Sequence, residues 1–213
     1  MDPRTAKLLI TRRARASGAE VYQKAVGKSP AFERASFPCI DVALPLERRY
    51  AFFMNKKSSR KADPAEFDQI FMMGNDVWAE GPESEYLEAC RASPKYERGQ
   101  WYVLESETSE LLSSLIIYSF GPDRYGIGSI ATPQALRKQG YASILISDVL
   151  KLIDEENPGS TIFLYSDIEP KFYKRFDFVQ VPPSVQRYKT TTCMIRGLHT
   201  HRLSDKTDTP EYF

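Results

Sequence analysis

The feature that most constrains this chain is the segment at residues 130–142, Ile130-Ala131-Thr132-Pro133-Gln134-Ala135-Leu136-Arg137-Lys138-Gln139-Gly140-Tyr141-Ala142. A β-type run ends at Pro133 and a short polar loop follows. A long helix then opens at a glycine, with a small residue two positions on. Ala142, Leu145, Ile146, Val149, Leu150 and Ile153 fall on one stripe at helical spacing, and Asn157-Pro158-Gly159 ends the helix. The next run, Ile162-Phe163-Leu164-Tyr165, has the composition of a buried strand. A strand, loop, helix and strand in this order commit the chain to a layered α/β architecture. The helix start also has a chemical meaning. It presents unpaired N–H groups and a partial positive charge, which suit a pyrophosphate where no side chain blocks the backbone. Gly140 and Ala142 keep that approach open, and Arg137 adds a cation.

The flanking elements follow the same logic. Tyr50 to Met54 reads as a strand and the polar run Lys56 to Lys61 as a loop. Asp63-Pro64-Ala65-Glu66 combines N-cap, N1 proline and capping-box chemistry, so a helix starts there. It continues through Phe67, Ile70, Phe71, Gly74 and Trp78 to the stop at Gly81-Pro82. A shorter helix carries Tyr86, Leu87 and Cys90. Strands are expected at 101–104, 111–120 and 125–131. A short helix opening at Pro170, with Phe172 and Phe176 on one face, precedes closing strands at 178–181 and 190–195. The two tryptophans and the phenylalanines are assigned to the core.

Composition sets the exclusions. The chain has 213 residues and a formal net charge of +1, so it is not built mainly to coat nucleic acid or an anionic membrane. That near-neutrality is uneven. Residues 1–46 hold eight Lys/Arg against four Asp/Glu, so a basic extension precedes a mildly acidic body. The only histidines, His199 and His201, lie near the C-terminus, which argues against Ser-His-Asp, Cys-His and His-rich metal chemistry in a central cleft. Cys39, Cys90 and Cys193 have no metal-ligand spacing and read as free, packed thiols in a reducing compartment. Gly126-Ile127-Gly128-Ser129-Ile130-Ala131 matches the dinucleotide fingerprint G-x-G-x-x-G/A. These glycines, however, fall inside an expected strand and no helix opens within them, so a bulge or close backbone approach is the better account.

Arg137-Lys138-Gln139-Gly140-Tyr141-Ala142 resembles the acyl-CoA motif R/Q-x-x-G-x-G/A of the GNAT N-acetyltransferase superfamily. Downstream, Phe172-Tyr173-Lys174-Arg175-Phe176-Asp177-Phe178 is similar to the same superfamily's F-Y-x-x-x-G-F segment, with Asp177 standing in the glycine position. The segment from Ser166 to Tyr173 looks most like the fungal lysine N-acetyltransferases. The resemblance implies an α/β, GNAT-like fold: a mixed, mostly antiparallel sheet with a splayed parallel strand pair and flanking helices. It places that domain at 47–197, between the extension at 1–46 and a tail at 198–213.

The resemblance also implies site roles. Main chain at Ile130, Ala131 and Thr132 would pair with the pantetheine arm of acetyl-CoA, and Arg137, Lys138, Gln139, Gly140, Tyr141 and Ala142 would hold its pyrophosphate. Tyr173 would protonate the departing thiolate. Asp167 and Glu169, just after a strand end, would take the proton from the acceptor. Both equally suit capping the helix that follows. The chemistry is self-consistent without histidine. An alkylammonium of pKa about 10.4 is a free amine only about once in 10³ molecules at pH 7, so a base is needed, while a thiolate of pKa about 8.5 leaves readily. The implied activity is direct acetyl transfer to a primary amine, lysine or another small amine, or a lysine side chain, with no metal. The protein would be a cytoplasmic monomer or homodimer without nucleic-acid or membrane partners. A catalytically degenerate acyl-CoA-binding module stays open, as does an NAD(P)-dependent oxidoreductase.

Overall fold

A computed structural model describes residues 57–197 and 203–213. The expectations for residues 1–46, for the strand at 50–54, and for Cys39, His199 and His201 lie outside the described residues. Among the described residues the strands are β1 Ser58–Lys61, β2 Gln100–Glu105, β3 Leu111–Gly121, β4 Arg124–Ala131, β5 Thr161–Ser166, β6 Val179–Gln180 and β7 Thr192–Arg196. The helices are α1 Phe67–Met72, α2 Asn75–Trp78, α3 Glu83–Arg91, α4 Pro94–Glu97, α5 Tyr141–Glu156 and α6 Lys171–Lys174.

The seven strands make one sheet in the order β1-β2-β3-β4-β5-β7-β6. Every neighbouring pair is antiparallel except β4 with β5, which run parallel because α5 carries the chain back across one face between them. This is the mixed, mostly antiparallel sheet with one parallel pair that the sequence implied. The parallel pairing runs from Arg124 opposite Thr161 to Ile127 opposite Leu164 and stops there. Beyond it β4 continues to Ala131 and β5 to Ser166, so the two strands part.

Two apolar layers hold the sheet. On one face Leu145, Ile146 and Val149 of α5 pack on Leu104, Ile117, Ile127 and Leu164. On the other, Ile70 and Phe71 of α1 and Cys90 of α3 pack with Trp101, Phe163 and Ile195. Ile162, Phe163 and Leu164 on β5 are all essentially buried, each contributing about 1.5–3 kcal/mol of transfer free energy. Residues 203–213 lie against the sheet as well: Tyr165 donates to the Pro210 carbonyl at 2.5 Å, and Phe213 is buried between Tyr118, Phe120 and Tyr165. No helix among the described residues is long and apolar enough to cross a membrane.

Some local expectations need correction. The described part of the polar run at 57–61 is not a loop: Ser58–Lys61 forms the edge strand β1 on β2. Pairing to a neighbour overrides the weak β-propensity of its charged residues, which suit an outer edge. The helix expected from Asp63 to Trp78 is broken. Asp63 and Glu66 do form the capping box, but on a 3-10 turn at Pro64–Glu66, and a second break separates α1 from α2 at Gly74. The Trp78 ring lies over that glycine and is 41% exposed, so it is not core. Phe120 is likewise 40% exposed, because β2 covers β3 only as far as Ile117. Asp177 adopts φ +65, the left-handed conformation a glycine would supply, and aspartate is among the few residues that tolerate it.

Candidate functional site

The gap between β4 and β5 begins with a bulge. Ile116 faces Gly128 and Ser114 faces Ala131, so β4 has one residue more than β3 over this stretch. Ser129 takes up the difference at φ +44. Ser113, fully buried beneath, donates to the Ala131 carbonyl at 2.7 Å and lies 3.0 Å from the Thr132 hydroxyl. From Gly128 to Ala131 the edge of β4 that faced β5 has no strand partner among the described residues. It is therefore a row of backbone groups open to an extended ligand. Of the residues singled out from sequence, Ile130 and Ala131 sit on that row and Thr132 follows it; the Ala131 carbonyl is taken by Ser113 and the Thr132 carbonyl by Arg137.

The same strand answers the dinucleotide question. Gly126 and Gly128 lie within β4, and no helix opens among them. A Cβ on Gly126 would come within 2.6 Å of the Phe213 ring, so the glycine makes room for an aromatic side chain laid on the strand.

The loop after β4 leads to the start of α5. Gly140 is its N-cap at φ +85, and a Cβ there would meet nothing within 4 Å. No side chain caps the helix and no acidic residue stands in its first turn. Its first N–H groups carry the positive end of the helix dipole and have no side-chain cap among the described residues, an arrangement suited to an anion. Lys138 and Gln139 are exposed on the approach, and Tyr141 donates to Gln139 at 2.9 Å. Arg137 is placed differently from a free phosphate ligand. Its guanidinium makes a bidentate pair with Asp76 of α2, at 2.6 and 2.7 Å, and its Nε donates to the Thr132 carbonyl at 3.0 Å. Arg137 therefore ties the loop to α2, and what the motif leaves open to an anion is backbone rather than this side chain. Asp76 carried no sequence signal, since its partner lies 61 residues away.

Tyr173 stands on α6 with its ring buried, edge-on to Phe172 at 4.9 Å and to Phe178 at 6.3 Å. Its hydroxyl has no hydrogen-bond partner among the described residues. Burial, with the nearby Asp167 charge, pushes its pKa up to about 12. The structure brings Asp167 and Tyr173 together at the parting of the strands. Asp167 is exposed and accepts from the Tyr212 hydroxyl at 3.2 Å. Glu169 is exposed. Neither carboxylate makes a capping bond to α6, whose N-cap is Pro170.

Opposite Asp167, on the α1–α4 face, sequence reasoning missed a cluster. Tyr96 and Lys95 of α4 lie beside the bulge, with Ser129 close enough to Tyr96 to temper the rise that burial causes in its phenol pKa. Tyr165, Tyr188 and Tyr212 pack around them with ring centroids 5.3–6.1 Å apart, Tyr188 edge-on to the other two and Tyr165 tilted against Tyr212. Among the described residues no group of His, Cys, Asp or Glu is arranged to hold a metal ion.

No protein-family model matches the sequence, and no curated protein sequence matches it. Solved structures do. A putative N-acetyltransferase from Lactobacillus plantarum matches with a TM-score of 0.54 at 13% identity, over 68% of this chain and 99% of its own. A GNAT family N-acetyltransferase from Escherichia coli, solved in complex with CoA, matches with a TM-score of 0.52 at 14% identity, over 67% and 82%. A protein related to the histone acetyltransferase HPA2, from Corynebacterium glutamicum, matches with a TM-score of 0.51 at 15% identity, over 66% and 96%. The chain has the fold of the GNAT acetyltransferases.

Proposed function

We propose that this chain is an acetyl-CoA-dependent N-acetyltransferase that moves the acetyl group directly to a primary amine. The observation that supports it most is the conjunction of two features at one opening: the unpaired edge of β4 beyond Ile127 and the uncapped start of α5 at Gly140. An elongated ligand with an anionic end fits that pair, and acetyl-CoA has this shape. When bound, the cosubstrate supplies an activated acetyl thioester. The backbone at Ile130, Ala131 and Thr132 orients its arm, and amides from Lys138 to Ala142 receive its pyrophosphate. A β4 amide at the bulge stabilises charge as it develops on the carbonyl oxygen. Asp167 takes the ammonium proton from the acceptor, directly or through water. Tyr173 donates a hydrogen bond to the departing sulfur. Its raised pKa suits a group that stays protonated throughout. Acceptors are lysine or another small amine, or a lysine side chain. The protein works without metal, nucleic acid or membrane, in the cytoplasm, as a monomer or homodimer.

The test is a panel of amines (lysine, polyamines, aminoglycosides and a lysine-bearing peptide) with acetyl-CoA, reading release of the CoA thiol. Amine-dependent release is the expected result. Binding of CoA with no release across the panel points to the degenerate binding module, and a thermal shift with NADH alone points to the oxidoreductase.

A further inference from the structure

The cluster facing the gap contains an amine of its own. Lys95 opens into it from α4, and its Nζ stands 5.0 Å from the ring centre of Tyr96 and 5.7 Å from that of Tyr212. Each of those rings leads to one side of the gap. Tyr96 lies near Ser129, the bulge residue where β4 turns away, and Tyr212 donates to Asp167, the first residue after β5. The Lys95 ammonium therefore sits between the two parting strands, held by aromatic faces. Among the described residues it has no carboxylate within ion-pair distance.

We propose that Lys95 is an internal acceptor, acetylated in cis by the acyl thioester bound at this site. The proposal rests on the acyl-transfer reading given above. Burial lowers the pKa of the Lys95 amine, with Asp167 and Cys90 opposing that shift, so more of it is neutral at a given pH than for a solvated lysine. In the reaction the neutral amine attacks the carbonyl carbon. An N–C bond forms, and the C–S bond breaks with its electron pair on sulfur. Of the two protons that the ammonium loses, one passes to solvent by way of Asp167 and the other ends on sulfur. The products are acetyl-Lys95, CoA thiol and one proton. Acetylation removes the one cation facing Tyr96 and Tyr212 among the described residues, and so changes what the cluster presents to an incoming amine.

The experiment uses the full chain with isotopically labelled acetyl-CoA, peptide mapping by mass spectrometry and a series of protein concentrations. Lys151, with a side chain 76% exposed, is the internal reference for uncatalysed acetylation. The expected result is labelling of Lys95 at least roughly tenfold faster than of Lys151, as proximity in a bound complex dictates. The rate constant should not depend on protein concentration, and Tyr173→Phe should slow it. Labelling of Lys95 no faster than Lys151, or a rate constant that grows with protein concentration, overturns the proposal. If external amines are still acetylated in that case, the transferase reading survives alone. If neither Lys95 nor any amine in the panel releases CoA thiol, both fall together.

Discussion

Tyr173→Phe removes one oxygen and leaves the ring. The Tyr173 hydroxyl makes no hydrogen bond within the described residues, while the ring keeps its edge contacts with Phe172 and Phe178. The change in folding stability should therefore stay within about 0.5 kcal/mol. The catalytic loss follows from the same environment. A phenol held near pKa 12 gives its proton uphill to a thiolate of pKa about 8.5, by roughly 3.5 units or about 5 kcal/mol. Complete transfer at the transition state is thus unfavourable, and what the hydroxyl supplies is a hydrogen bond to developing negative charge, worth about 1.5–3 kcal/mol. That converts to roughly a 10- to 150-fold fall in kcat. The sign in pH is also set. With its pKa raised, Tyr173 remains in the protonated, donating form across the whole range from pH 7 to 10, so the wild-type profile has no descending limb from this group there. Steady-state release of CoA thiol, alongside urea unfolding and CoA binding by calorimetry, checks all three points. A kcat within about twofold of wild type refutes the reasoning. So does a loss explained by unfolding or by weaker CoA binding.

Three further outcomes are expected. Asp76→Ala frees the Arg137 guanidinium; because both partners are 35% exposed the pair is worth about 0.5–1 kcal/mol, so KM for acetyl-CoA should rise roughly two- to fivefold with kcat little changed, and an unchanged KM counts against the loop-tying role. Arg60 holds the carboxyls of Glu66 and Glu105 below the usual carboxylate range, chiefly through side-chain hydrogen bonds. Their contribution is present above about pH 4.3 and is lost as pH falls through the lowered values. Arg60→Met should therefore flatten the acid limb of stability, measured as Tm against pH, and an unchanged acid limb would show that these pairs contribute nothing. Burial raises the Cys193 thiol to about 12 and raises the Cys90 thiol as well, so iodoacetamide at pH 8 should alkylate both only after denaturation; alkylation of Cys193 in the native protein contradicts its packing.

Much of the architecture was legible locally. The strand, loop and helix at residues 130–142, the glycine that starts α5 and the buried run at β5 each announce themselves through period, caps and composition, properties carried by neighbouring residues. Two departures stand out. Ser58–Lys61 became a strand because β2 offered it a ladder, and Trp78 is exposed with its ring over Gly74, where the helix breaks. The first was settled by a contact that a sequence window does not contain.

The site divides along the same line. The sequence by itself determined the uncapped start of α5, because a helix terminus and a missing Cβ are local properties of Gly140 and its neighbours. It also singled out Tyr173 and Asp167, though not that they meet. Only the tertiary structure decided that Arg137 belongs to Asp76, that Tyr212 reaches Asp167 from 45 residues away, and that Lys95 lies between the parting strands. Those relations depend on how a sheet closes and which side chains its packing brings face to face. Pairings over such separations leave no periodicity in a single chain to be read.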